Sequence, residues 1–202
     1  MNRREVIVGA TSAVLGFAVA DVAKCSEGKE DGFLKRLTEV RSATKFTNQP
    51  VAEDDLQKIL EIGVNSPSAL NRQPWFFAAV TDRRLLAEID QAAKIKAGRL
   101  SLTGTPTVIF VCGDDTNYAR FDVGAACDRM SVTAILLGYG AKVVASPCSV
   151  VNTEFKDRLG VPEKYNAYAA LLLGVEEIPS VDGVSGATLR VPFEEKVSRV
   201  KG

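Results

Sequence analysis

The chain has 202 residues, is 46% hydrophobic, and balances 25 Lys+Arg against 25 Asp+Glu. Those values suit one domain with a real core plus a short extension, and give no electrostatic footprint for nucleic acid. The chain contains no histidine, which excludes Ser-His-Asp and Cys-His nucleophilic machinery and His-based zinc sites. If it is an enzyme, a cofactor or metal-free polar groups must carry the chemistry.

At the N-terminus Arg3-Arg4 is followed by Glu5 and an apolar stretch from Val6 to Ala20, softened by Gly9 and Gly16. The stretch is short for a membrane span. Ala18-Val19-Ala20 offers small residues of the kind a signal peptidase reads. This is the layout of a bacterial export signal, and the paired arginines suggest the twin-arginine type, although Asn2 precedes the pair and Val6 stands two residues after it. The expected location is therefore exported and periplasmic. An uncleaved anchor or amphipathic leader is the alternative, and a leader that is not used leaves the protein in the cytoplasm. Residues 1–20 read as the signal, 21–32 as a charged linker with Gly28 and Gly32, and 33–202 as the domain.

Within the domain, Phe33, Leu34, Leu37 and Val40 share a helical face, and that helix should stop near Arg41-Ser42. Pro50 marks a turn. Leu56, Ile59, Leu60 and Val64 recur at helical spacing behind an acidic first turn, Glu53-Asp54-Asp55. Phe76–Val80 reads as a strand. Thr81-Asp82 can cap a third helix with Leu85, Leu86, Ile89 and Ala93 inward. Thr107–Cys112, bounded by Pro106 and Gly113-Asp114, reads as a buried strand. A long helix rich in small residues (Gly124, Ala125, Ala126, Ser131, Ala134) is expected from Asp122 to Tyr139, either at a dimer interface or packed under the sheet. Lys142–Ala145 reads as a strand, Asn152–Gly160 as a short helix, and Tyr168–Val175 as a further buried strand. Pro192 precedes a closing amphipathic segment, Phe193–Val200. Without a regular βαβ rhythm, the class is α+β with a mostly antiparallel central sheet flanked by helices.

Between the second helix and the first strand lies Ser66-Pro67-Ser68-Ala69-Leu70-Asn71-Arg72-Gln73-Pro74-Trp75. It can be a stiff connector whose amides bond only to backbone. It can also be a wall for a flat polar ring. The four cysteines show no C-x-x-C spacing. Cys112 and Cys127 read as buried free thiols, and no disulfide pairing follows from spacing.

Several motifs recur in order. They are Arg41-Ser42-x-x-Lys45-Phe46, the Ser66–Trp75 loop, Asp122-x-Gly124-x-Ala126, Leu137-Gly138-Tyr139-Gly140, Leu159-Gly160-Val161-Pro162, Leu172-Leu173-Gly174, and Arg190. Together they resemble the FMN-dependent nitroreductase family across most of residues 33–201. The resemblance implies an intertwined homodimer with FMN at the subunit interface. It also implies two-electron reduction of a nitroaromatic or quinone-like acceptor, with NAD(P)H as the usual donor. By the same resemblance, Arg41 and Ser42 hold the flavin phosphate and ribityl chain, and Arg190 returns to the phosphate. Pro67, Ser68 and Asn71 meet the ring from the partner subunit. Ala145 and Ser146 fall where a backbone N–H faces the reactive flavin nitrogen. Lys45 is the candidate for the basic group near the flavin pyrimidine edge, with Lys94, Lys96 and Arg99 as alternatives.

Bland readings stand beside these. Arg41 can cap the first helix, Ser42 can form a turn, Lys45 can be a solvated lysine, and Arg190 can pair with Glu194. The family commonly has basic residues where this chain has Val40 and Thr44. That difference supports a second reading, a flavin- or small-ligand-binding protein of the same fold without reductase activity. A purely structural dimer is the third.

Overall fold

The computed structural model describes residues 30–39, 42–97, 102, 104–178 and 191–200. The chain divides into an N-terminal unit ending at Glu39 and a main unit beginning at Val40. In the first, helix α1 spans Glu30–Glu39, starting within the stretch read as linker, and Thr38 Oγ1 donates to the Lys35 carbonyl at 2.8 Å. The leader, Val40, Arg41 and Arg190 lie outside the described residues.

The main unit is built on a four-stranded sheet of order β1-β2-β4-β3: β1 Trp75–Val80, β2 Thr107–Gly113, β3 Gly140–Val144 and β4 Asn166–Gly174. Every pairing is antiparallel. Antiparallel sheets often leave one face in water, but here both faces are covered. Val108, Phe110, Cys112 and Leu172 pack with Leu86, Ile89 and Ala93 of α3 (Arg83–Ala97) and with Val150, Val151 and Phe155. Ile109, Val111, Leu171 and Leu173 pack with Leu56 and Ile59 of α2 (Glu53–Val64) and with Val123, Ala126, Met130 and Ala134 of α4 (Ala119–Leu136). This is why Thr107–Gly113 reads as a continuous apolar run: each of its residues is buried.

Helix α2 has no side-chain N-cap, since Ala52 stands there, and relies on Glu53, Asp54 and Asp55 at the positive end of its dipole. Its buried stripe is Leu56, Ile59 and Gly63. A Cβ on Gly63 would lie 2.6 Å from Met130 Sδ, so glycine sets how closely α2 and α4 pack. Asp82 starts α3, its Oδ1 accepting the Arg84 N–H at 2.8 Å. Helix α4 begins at Ala119, ahead of the expected Asp122. It ends at Leu136, short of the expected Tyr139, and is closed by Gly138 (φ 98°), with the Tyr139 N–H donating to Ala134 O at 2.9 Å.

Two expectations are corrected. The short helix read over Asn152–Gly160 is a helical turn at Cys148–Val150, which we label α5. It runs into a π turn at Val151–Phe155 and a 3₁₀ turn at Asp157–Leu159. The closing amphipathic segment forms only a 3₁₀ turn, Phe193–Glu195, and leaves Phe193, Val197 and Val200 exposed. Helical spacing alone does not hold so short a segment without an apolar surface to cover it.

Candidate active site

The Ser66–Trp75 loop is fixed by polar anchors at both ends. Ser66 is buried and its hydroxyl donates to Ile62 O at 3.0 Å, extending α2. Ser68 Oγ accepts the Gln73 N–H at 2.9 Å. The Ala69 N–H donates to both carboxylate oxygens of Asp122, at 3.2 and 3.1 Å, and Asp122 is only 3% exposed. At the far end the Asp114 N–H donates to Pro74 O at 3.0 Å. Between these anchors Leu70, Asn71 and Gln73 hold positive φ of 55°, 54° and 50°. Asparagine tolerates that region, but leucine does so only at a cost. Leu70 is 85% exposed, so no packing within this chain explains its conformation. Asn71 is exposed, and its Oδ1 accepts from Gln73 Nε2 at 3.3 Å. Trp75 is buried in the core and stacks near Phe77.

The Ser42–Lys45 strap is tied to the start of β3 and to the chain after β4. The Ala43 N–H donates to Ala141 O at 2.9 Å, the Thr47 N–H to Val175 O at 2.8 Å and the Glu177 N–H to Lys45 O at 3.1 Å. Ser42 and Lys45 are exposed, and the Lys45 ammonium pairs with Glu177 at 2.6 Å. Helix α4 measures the distance between loop and strap. Asp122, near its start, holds the loop, and its far end leads into β3 beside the strap. At 1.5 Å per residue the two regions are about 20 Å apart.

Ala145 and Ser146 leave the end of β3, and Ala145 borders a cavity of about 610 Å³ that also touches Asp115, Arg120, Cys148, Asn152 and Tyr168. That volume lies in the range of small-molecule and cofactor sites. Among the described residues the Ser146 N–H has no protein acceptor. A free backbone donor one residue beyond the cavity-lining Ala145 is of the kind a ring nitrogen needs. Burial pushes the Cys148 thiol up to about 12 and the Cys112 thiol likewise to about 12. Neither is a nucleophile at neutral pH. Cys112, Cys127 and Cys148 are free and buried.

Sequence reasoning missed Arg120, Asn152 and Tyr168. Asn152 sits in the π turn, and its amide clasps Ala167: Nδ2 donates to Ala167 O at 3.1 Å and Oδ1 accepts the Ala167 N–H at 2.7 Å. It completes the β4 edge where β3 has ended, since β3 pairs only with Ala170–Gly174. The one available signal, an Asn near a strand-length gap, is too weak to find it from sequence.

The four-stranded antiparallel sheet with helices on both faces is a nitroreductase-like fold. Residues 37–99 match the model of the Nitroreductase family. An Archaeoglobus fulgidus protein provisionally named NADH dehydrogenase/NAD(P)H nitroreductase is 28% identical over 149 residues, covering 70% of this chain and 83% of its own. A Desulfitobacterium hafniense nitroreductase with bound FMN is similar at 26% identity with a TM-score of 0.71, covering 84% of this chain and 98% of its own. A Bacteroides fragilis nitroreductase with bound FMN, at 22% identity and TM-score 0.70, covers 84% and 98% and shares the fold.

Proposed function

We propose that the chain is an FMN-dependent oxidoreductase that reduces nitroaromatic or quinone-like acceptors by two electrons, with NAD(P)H as donor, and that it works as a homodimer. The carrying observation is the likeness to a nitroreductase with bound FMN over 98% of that protein's length. The separation of strap and loop supports the dimer. Ser42, with Arg41 and Arg190, would hold the phosphate of one FMN, and Ser68 and Asn71 would reach the FMN of the second copy. FMN supplies the hydride chemistry, so no histidine is needed. The chain's own part is to hold the phosphate with guanidinium and hydroxyl donors and to offer the Ser146 N–H to the ring. The leader supports export, which fractionation of cells expressing the full chain tests.

The test is the visible spectrum of the domain without its leader, after FMN loading and gel filtration. Retained flavin absorbance that NAD(P)H bleaches anaerobically is the expected result. No flavin absorbance after reconstitution with excess FMN overturns the reading. The Lys45–Glu177 pair, together with Thr44, favours the second reading, a flavin binder without reductase activity. Bound FMN that NAD(P)H leaves oxidised would select it.

A further inference from the structure

We propose that Arg120 selects an anionic ligand, an aromatic carboxylate or similar oxyanion, in the cavity beside Ala145. The proposal rests on the oxidoreductase reading above and names the class of acceptor for that same site.

The platform under Arg120 is built rather than incidental. The β2–β4 register shifts between Val111↔Ala169 and Cys112↔Ala167, leaving Tyr168 as the extra residue. Such a bulge re-aims a side chain. The Tyr168 ring lies over Gly113, where an added Cβ would come within 2.7 Å of its Cε2. Its hydroxyl donates to Asp114 O at 3.0 Å, and Asn152 fixes the preceding residue at Ala167. The Arg120 guanidinium rests on this ring, 5.3 Å from its centroid.

Arg120 makes no ion pair among the described residues. It is the second residue of α4, where a cation opposes the positive end of the helix dipole. Helix stability therefore does not account for an arginine here, whereas an anion in the cavity would be favoured by both the fork and the dipole. Asp115 borders the same cavity without pairing to Arg120. It disfavours an anion at its own end and so orients a singly charged ligand toward Arg120.

The probes are 4-nitrobenzoate and its neutral isostere 4-nitrobenzamide. Each is titrated calorimetrically into FMN-loaded protein without donor, then compared as an acceptor by kcat/KM. Wild type is expected to favour the anion at least about tenfold, the scale of one charge-assisted contact. Arg120→Ala should bring that ratio near one, Arg120→Lys should keep part of it, and Asp115→Asn should preserve or raise it. Arg120 is exposed, and an unchanged melting curve confirms that each variant folds. Equal binding of the two probes by wild type, or a ratio that survives Arg120→Ala, overturns the proposal. A tenfold loss of FMN affinity in Arg120→Ala also overturns it, because the guanidinium would then serve the cofactor phosphate. The two readings fail separately. Efficient reduction of both probes without preference removes the anion site alone. An Arg120-dependent preference in binding, with no turnover of either probe, removes the reductase alone.

Discussion

Helices α2 and α4 lie antiparallel, and a carboxylate closes each end of the pair, but the two closures differ in kind. At the loop end Asp122 is buried and takes the Ala69 N–H with both oxygens. At the strap end Asp55 is solvated and takes the Tyr139 hydroxyl at 2.9 Å and the Lys58 ammonium at 2.9 Å, while the same hydroxyl accepts the Ala52 N–H at 3.3 Å. The buried closure fixes a loop whose backbone holds left-handed residues. The solvated one joins two regular helices. Strain is tolerated where a desolvated anchor over-determines the chain.

The largest test of that contrast is Asp122→Ala. It leaves the Ala69 N–H without its acceptor and should cost about 1.5–3 kcal/mol in urea unfolding. If the loop meets the flavin, the variant should also loosen FMN retention. An unchanged midpoint would show that the loop is held by its own backbone.

Leu70→Gly asks whether the loop stores strain. A left-handed leucine costs about 1–2 kcal/mol, and glycine gives back about 0.5–1 kcal/mol through the unfolded chain. The variant should be more stable by about 0.5–1 kcal/mol, since an exposed Leu70 has no packing to lose. A destabilised variant would mean that leucine is not strained there.

Tyr139→Phe probes the solvated end and should lower stability by less than Asp122→Ala does. Its effect should depend on pH. The Lys58 ammonium, then the Tyr139 hydroxyl, hold the Asp55 carboxyl below its ordinary value of 3.8. A depressed folded pKa contributes stability above the unfolded value, and that contribution is lost as pH falls through the folded one. The gap between the wild-type and Tyr139→Phe unfolding curves should therefore be widest at neutral pH and narrow in strong acid, leaving the part due to the lost Ala52 N–H bond. A gap of constant size across pH would assign the effect to packing and the Ala52 N–H bond rather than to Asp55.

These two ends also show what the sequence made legible. Periodicity placed Leu56 and Ile59 inward, and the acidic turn at Glu53–Asp55 marked the start of α2, because helix burial and dipole effects are local. The unbroken apolar run of β2 announced a strand covered on both faces. The platform at Tyr168 was hidden, since it depends on a one-residue register shift and on an amide from a π turn fifteen positions before Ala167. Apolar spacing at Phe193–Val200 suggested a helix, but what such a segment covers is not written in its own residues. Lys45 was legible as a motif residue, whereas its attachment to Glu177 depends on the pairing of the strap with the chain after β4.

That attachment gives the smallest expected change in stability. An exposed pair of this kind contributes little, so Glu177→Gln should shift unfolding by no more than about 0.5 kcal/mol. Its consequence for the cofactor is larger. If Lys45 is the cation for the flavin, Glu177 competes with the flavin for it, and releasing the ammonium should tighten FMN binding by a few fold, with the gain lost again in the double variant Lys45→Ala, Glu177→Gln. Weaker FMN binding in Glu177→Gln would instead mean that the pair holds the strap in place for Ser42, and that the positive charge for the ring comes from elsewhere in the chain.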